Sequence, residues 1–113
     1  MPASSFKFDD LGQGRFAVSG DFNFDTVSDI LERSKDLFAG YDVLEVDLGG
    51  ITRADSAGLA LLLEWVNWAK YYVREISFQD MPEQVIAIAR ICEVEDLLKA
   101  GERWTGPVGI HER

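Results

Sequence analysis

The chain has 113 residues, 47% of them hydrophobic, and a formal net charge of −9, which is length enough for one hydrophobic core and not for two. Its Lys and Arg are scattered rather than gathered on one stripe, so the composition argues against nucleic acid, whose phosphates need a clustered basic face, and against adsorption to anionic lipid. One cysteine, no basic start or apolar run within Met1 to Ser5, and a longest apolar run of only Leu59 to Leu63 predict a cytoplasmic chain with no direct membrane insertion, reaching a membrane only through a partner.

Phe6-Lys7-Phe8 alternates as a strand does, and Arg15 to Ser19 reads as a second strand. Gly12-Gln13-Gly14 between them predicts the turn of an opening hairpin. No Lys-Ser/Thr pair follows these glycines, so the loop lacks what a phosphate-cradling loop requires. Gly20 to Thr26 then leads into a helix in which Val27, Ile30, Leu31, Leu37 and Phe38 recur at helical spacing, with Asp25 or Thr26 as its cap and Gly40 as its stop.

Val43 to Leu48 has the branched apolar composition of a short buried strand, and Gly49-Gly50 is predicted to end it. Leu59 to Tyr72 holds no Gly or Pro and predicts a helix, capped by Asp55 or Ser56. Ile76 to Gln79 is a further strand, stopped by Met81-Pro82. Val85, Ile86, Ile88, Ala89 and Cys92 form the apolar face of the next helix, which makes Cys92 an inert core thiol, and Glu93 to Leu98 reads as a second short helix.

Residues 1–100 thus form one domain. From Gly101 to Arg113, three Gly and a Pro predict a poorly structured tail in which Trp104 is the residue large enough to anchor it and His111 is solvated. Strand, helix, strand, helix, strand with short connections predicts an α/β fold: a mixed, mostly parallel sheet of about four to five strands covered by three to four helices.

The helix from Ser56 is the stretch where function is sought. Ser56 falls at its first turn, where free amides and the positive dipole end favour an attached phosphate or the acidic group of a partner; it could equally serve only as a cap. At about 100° per residue, Leu59, Leu62, Leu63, Val66 and Ala69 gather on a core arc, and Leu61, Trp65, Trp68 and Tyr72 on its neighbour. That second arc either packs between flanking helices or docks a partner, since Trp and Tyr are enriched at interface hot spots. Trp65 lies nearer the core arc than Trp68 does.

The run Val46-Asp47-Leu48, a short loop, and then Asp55-Ser56-Ala57-Gly58-Leu59-Ala60-Leu61-Leu62-Leu63 resembles the signature of the STAS domain family. Within it, Leu-Ala-Leu-Leu-Leu after an acid, a hydroxyl, a small residue and Gly is most like the cytoplasmic STAS subunit of Mla-type phospholipid ABC transporters. The similarity extends to Ile76 through Gln79 and to Val85 through Ile91. It implies a STAS-type fold, and the candidate contact surface joins the motif residues Asp55, Ser56, Ala57 and Gly58 and the loop residue Asn23 to Leu61, Trp65 and Trp68 of the second arc. In the family the loop before the first helix usually reads Gly-Glu-Leu-Asp; Gly20, Asp21, Phe22 and Asn23 stand there, so an amide replaces the acid.

No nucleophile with a base, carboxylate pair or metal-ligand spacing is visible, and a chain without a phosphate loop is not an ATPase by itself. The expectation is a non-enzymatic protein without cofactor or metal. The resemblance implies an accessory subunit bound to the ATPase subunit of the transporter, with its membrane permease, in the system that maintains outer-membrane lipid asymmetry. The alternative it implies is an anti-sigma-factor antagonist, bound to an anti-sigma factor or kinase and released by phosphorylation of Ser56.

Overall fold

The computed structural model describes residues 5–101; the predicted tail beyond Gly101, with Trp104 and His111, lies outside them. The chain runs β1 (Phe6–Gly12), β2 (Arg15–Phe22), α1 (Val27–Phe38), β3 (Val43–Ala54), α2 (Ser56–Tyr71), β4 (Glu75–Gln79), α3 (Glu83–Ile91) and α4 (Glu95–Ala100). The four strands form one sheet in the order β1-β2-β3-β4. β1 and β2 are the antiparallel hairpin, closed at Gln13 and Gly14, and β2, β3 and β4 are parallel neighbours joined through α1 and α2. Along β3, buried Leu44, Val46 and Leu48 alternate with Glu45 and Asp47, so one face of the sheet carries the core and the helices lie on it.

The predicted break at Gly49-Gly50 does not occur. Between Asp47↔Ala17 and Gly50↔Ser19 the register shifts, and β3 continues paired to β2 as far as Ala54↔Phe22. The glycines absorb an extra residue as a bulge: a Cβ on Gly50 would stand 2.6 Å from the Cβ of Ser19, so two strands this close tolerate no side chain there. The Asp47 carboxylate accepts the Gly49 amide at 2.8 Å and satisfies it where β4 has already ended its pairing.

Trp65 sits at the centre of the core, 1% exposed. Its ring meets Phe38 of α1 at 5.3 Å, Phe8 of β1 at 6.1 Å, Phe22 of β2 at 6.3 Å and Phe78 of β4 at 6.4 Å, between centroids. An indole N–H buried this deeply needs an acceptor. It donates to the Ser34 hydroxyl at 3.0 Å, which in turn donates to the Leu31 carbonyl at 2.7 Å. Ser34 is therefore a buried member of the α1 face, beside Ile30 and Phe38.

Two expectations for α2 and α3 are corrected here. Leu61 and Trp65 do not share an outward arc with Trp68 and Tyr72: they are 4% and 1% exposed, packed against α1 and the sheet, whereas Trp68 is half-buried and Tyr72 exposed. Cys92 is exposed rather than a core thiol. Val85 and Ala89 bury the inner face of α3, but the helix ends at Ile91 and the chain turns away through Cys92 and a left-handed Glu93 before the next inward position is reached. The following α4 is tied back by Glu95, which accepts two bonds from Arg90 at 3.1 and 3.2 Å and a 2.9 Å contact from Lys99. The Arg90 and Lys99 hydrogen bonds hold its carboxyl down at about 2.

Ser34→Ala removes the acceptor and leaves the indole N–H unpaired in the core, which should cost about 1–3 kcal/mol. Trp65→Ala should cost about 3–5 kcal/mol. Urea midpoints at constant m-value measure both.

Candidate functional site

The ends of β2 and β3 and the start of α2 converge on the carboxylate of Asp55. It is the N-cap of α2, and its Oδ1 accepts the Ala57 amide at 2.8 Å and the Gly58 amide at 3.4 Å. Its Oδ2 reaches across to the loop after β2 and accepts the Phe24 amide at 3.3 Å. Asp55 thus joins the start of α2 to the entry of α1, and of the two cap candidates it alone makes the cap bonds. Ser56, the first residue of the helix, is exposed and left without capping work. Ala54, just before the cap, donates its amide to the Gln84 side chain of α3 at 2.8 Å.

The loop at Asn23 is ordered by its own side chains. Asn23 Oδ1 accepts the Asp25 amide at 3.0 Å, the Asn23 amide donates to Thr26 Oγ1 at 3.0 Å, and the Thr26 hydroxyl donates to the Asp21 carbonyl at 2.9 Å. Thr26 stands at the predicted cap position of α1 but turns its hydroxyl back into the loop. Asn23 is half-buried and closes a turn, work that an amide oxygen does as well as a carboxylate.

Of the residues implicated by sequence, the structure gathers Asn23, Asp55, Ser56, Ala57 and Gly58 at one junction and places Leu61, Trp65 and Trp68 further along α2. Gly58 is buried under the start of α2: a Cβ there would lie 2.4 Å from the Phe22 carbonyl oxygen. Its role is the close approach of helix to strand. Leu61 and Trp65 are core, and Trp68 is half-buried toward the far end of α2. One residue was missed. Phe24 projects from the loop 80% exposed and borders a shallow hollow of about 320 Å³ with Val27 and Leu31 of α1 and Ala57, Ala60 and Leu61 of α2. Its signal was a bulky aromatic inside a turn of Asn, Asp and Thr, where nothing local buries it.

The model of the MlaB-type STAS domain matches residues 9–99. The chain is a STAS domain. It is 28% identical over 75 residues to the intermembrane phospholipid transport system binding protein MlaB of Escherichia coli strain K12, a stretch covering 66% of this chain and 75% of that protein. The Shigella flexneri protein of the same name matches to the same extent. Among solved structures, the anti-sigma factor antagonist SpoIIAA in its unphosphorylated form superposes with a TM-score of 0.63, over 80% of this chain and 83% of that one, at 13% identity. That likeness bears on the fold: a mixed, mostly parallel sheet with its helices.

In this STAS domain the helix start is built by Asp55 and left open at Ser56. Asp55→Ala should therefore cost about 0.5–2 kcal/mol of stability, whereas Ser56→Ala should stay within about 0.5 kcal/mol, as an exposed substitution does. Thermal melts of the two variants distinguish them. Gly58→Ala forces a methyl against the Phe22 carbonyl, and a loss of about 1–3 kcal/mol is expected, read from the same melts.

Proposed function

We propose that this STAS domain is a non-enzymatic accessory subunit that binds the ATPase subunit of an Mla-type phospholipid ABC transporter and stabilises or tunes its assembly with the permease at the cytoplasmic face of the inner membrane. The observation that carries this is the identity to MlaB together with the MlaB-type family match across most of the chain. The geometry is compatible with binding rather than chemistry. Asp55 spends both oxygens on backbone amides, and among the described residues no three His, Cys, Asp or Glu side chains converge. Among those residues, too, no helix is long and apolar enough to cross a membrane; in this reading contact with the membrane goes through the partner.

The contact surface in this reading is the rim formed by Asn23, Phe24, Ser56 and Ala57. Phe24 supplies an exposed aromatic anchor, and Ser56 supplies a hydroxyl at the positive end of α2. A second reading has one observation in its favour: the exposed Ser56 hydroxyl is open to a kinase. As an anti-sigma-factor antagonist, the domain would be released from its partner when a phosphate adds about −1.5 to −2 charges at Ser56.

Mixed with the ATPase subunit of an Mla-type transporter, the chain should co-elute in size exclusion at micromolar concentrations and show no ATP hydrolysis alone. Ser56→Glu should weaken that complex about tenfold while the fold persists, because an acid in the first turn suits the helix dipole by about 0.3–1 kcal/mol. Failure to co-elute, with a soluble kinase co-purifying instead and phosphate found on Ser56 by mass spectrometry, would transfer the assignment to the second reading.

A further inference from the structure

β1 is a free edge of the sheet: β2 lies on one side of it and, among the described residues, no strand pairs with the other. Which of its backbone groups face outward follows from β2. The Glu45 amide donates to the Gly14 carbonyl at 2.9 Å, so Phe16 and Val18 spend their N–H and C=O on β3, and the odd-numbered residues of β2 spend theirs on β1. The Asp21 amide accordingly donates to the Ser5 carbonyl at 2.8 Å. In the register Lys7↔Ser19 and Asp9↔Ala17, Lys7 and Asp9 are therefore the residues hydrogen-bonded to β2, while Phe6, Phe8 and Asp10 turn their N–H and C=O groups outward. Beyond Asp10 the edge closes, because the register shifts and the Asp10 carboxylate accepts the Gly12 amide at 2.8 Å.

An open row of this kind is a template for another strand, and the charges along it select which strand and in which register. Lys7 and Asp9 project from the face of the sheet opposite Phe8 and the helices, with their charged groups 3.9 Å apart. On the helix face, Arg33 of α1 lies over the Phe6 ring, its guanidinium carbon 5.9 Å from the centroid. Among the described residues no carboxylate stands within ion-pair distance of Arg33. Antiparallel pairing of two copies of β1 must set outward-facing residues against one another, so a central overlap has its two-fold axis at Lys7, Phe8 or Asp9. An axis at Lys7 opposes two lysines and an axis at Asp9 opposes two aspartates, each pair in the close, non-hydrogen-bonded position where like charges repel. An axis at Phe8 instead sets Lys7 against Asp9 of the second copy, twice over, with about six backbone hydrogen bonds among Phe6, Phe8 and Asp10. It also sets Phe6, and Arg33 above it, against Asp10 of the second copy, whose carboxylate has one oxygen beyond the one that Gly12 uses.

We propose that the free edge of β1 pairs antiparallel with β1 of a second copy of this chain about a two-fold axis at Phe8, so that two four-stranded sheets run on as one across the dimer. The occupant is a second copy because the pattern is complementary to itself: each copy supplies Asp9 and Asp10 to the Lys7 and Arg33 of the other. Charges on an edge strand ordinarily keep other strands away; here they leave one register open. The overlap is short, Phe6 to Asp10 on each copy, so the dimer is weak and reversible. The net charge of −9 on each copy opposes it at low salt, whereas at about 0.15 M the Debye length of about 8 Å screens distant charges and leaves the pairs at the axis. Asn23, Phe24, Ser56 and Ala57 do not lie on this edge, and the dimer stands independently of the transporter reading.

The test is sedimentation velocity of the full chain from about 10 µM to about 1 mM in about 0.15 M salt, with amide NMR spectra of the isotope-labelled chain over the same range. A reversible monomer–dimer equilibrium is expected. The amides of Phe6, Phe8 and Asp10 should gain protection from hydrogen exchange as concentration rises, while those of Lys7 and Asp9, already bonded to β2, should be protected throughout. Lys7→Glu should weaken the dimer about tenfold by opposing like charges, Arg33→Glu should also weaken it, and Lys7→Glu combined with Asp9→Lys should restore it; melting temperatures report that each variant is folded. A chain that stays monomeric at about 1 mM, a dimer whose spectral changes fall outside β1 and α1, Lys7→Glu dimerising as the parent does, or a double variant no better than Lys7→Glu alone would each overturn the proposal.

Discussion

Burial of the Trp65 indole is the constraint on which the rest depends. The ring is large enough to touch β1, β2, β4 and α1 at once, and its N–H must end on the Ser34 hydroxyl. Together these fix how α2 is rotated about its own axis and where α1 lies against it. Once that rotation is set, the exposure of everything else on α2 follows: Leu61 and Leu62 are covered, Ser56 and Tyr71 point out, and Trp68 is left half open. A buried polar hydrogen with one acceptor is a directional constraint that apolar packing alone does not supply.

The start of α2 is held by a different kind of contact. One carboxylate, Asp55, satisfies two amides of its own helix and one of a loop that is 31 residues away in sequence. Gly58 lets the helix come close enough to the end of β2 for this to happen. The consequence for function is a division of labour between neighbours: Asp55 builds the platform, so Ser56 is free of structural work. A hydroxyl in that position can be modified, or covered by a partner, without the fold being lost.

The amide at position 23 belongs to the same economy of contacts. The acid that the family usually places there would add a second carboxylate beside Asp55. Asn23 keeps the turn-forming oxygen and omits the charge, leaving Asp55 as the carboxylate that organises the junction. The amide at position 23 adds no negative charge to the surface around Ser56.

Much of the fold was legible in the sequence because it is written in local terms. Alternation marked the hairpin and helical spacing marked α1, while Pro82 and Gly40 marked boundaries. The motif around Ser56 indicated the STAS family and put Asp55 and Ser56 at a helix start. Local rules could not say which of the two caps it, nor that β3 runs on through Gly49-Gly50, since a glycine pair is a break or a bulge according to whether a neighbouring strand stays paired. They also misplaced Leu61 and Cys92. Periodicity gives the angle between residues on a helix but not which arcs other elements cover, nor where the helix stops. Phe24 and the Arg74 return over Trp68 had no local signature at all, because each owes its place to contacts between elements far apart in the chain. What the sequence determined by itself was the set of elements and the helix start; tertiary packing decided which of their residues are left for a partner.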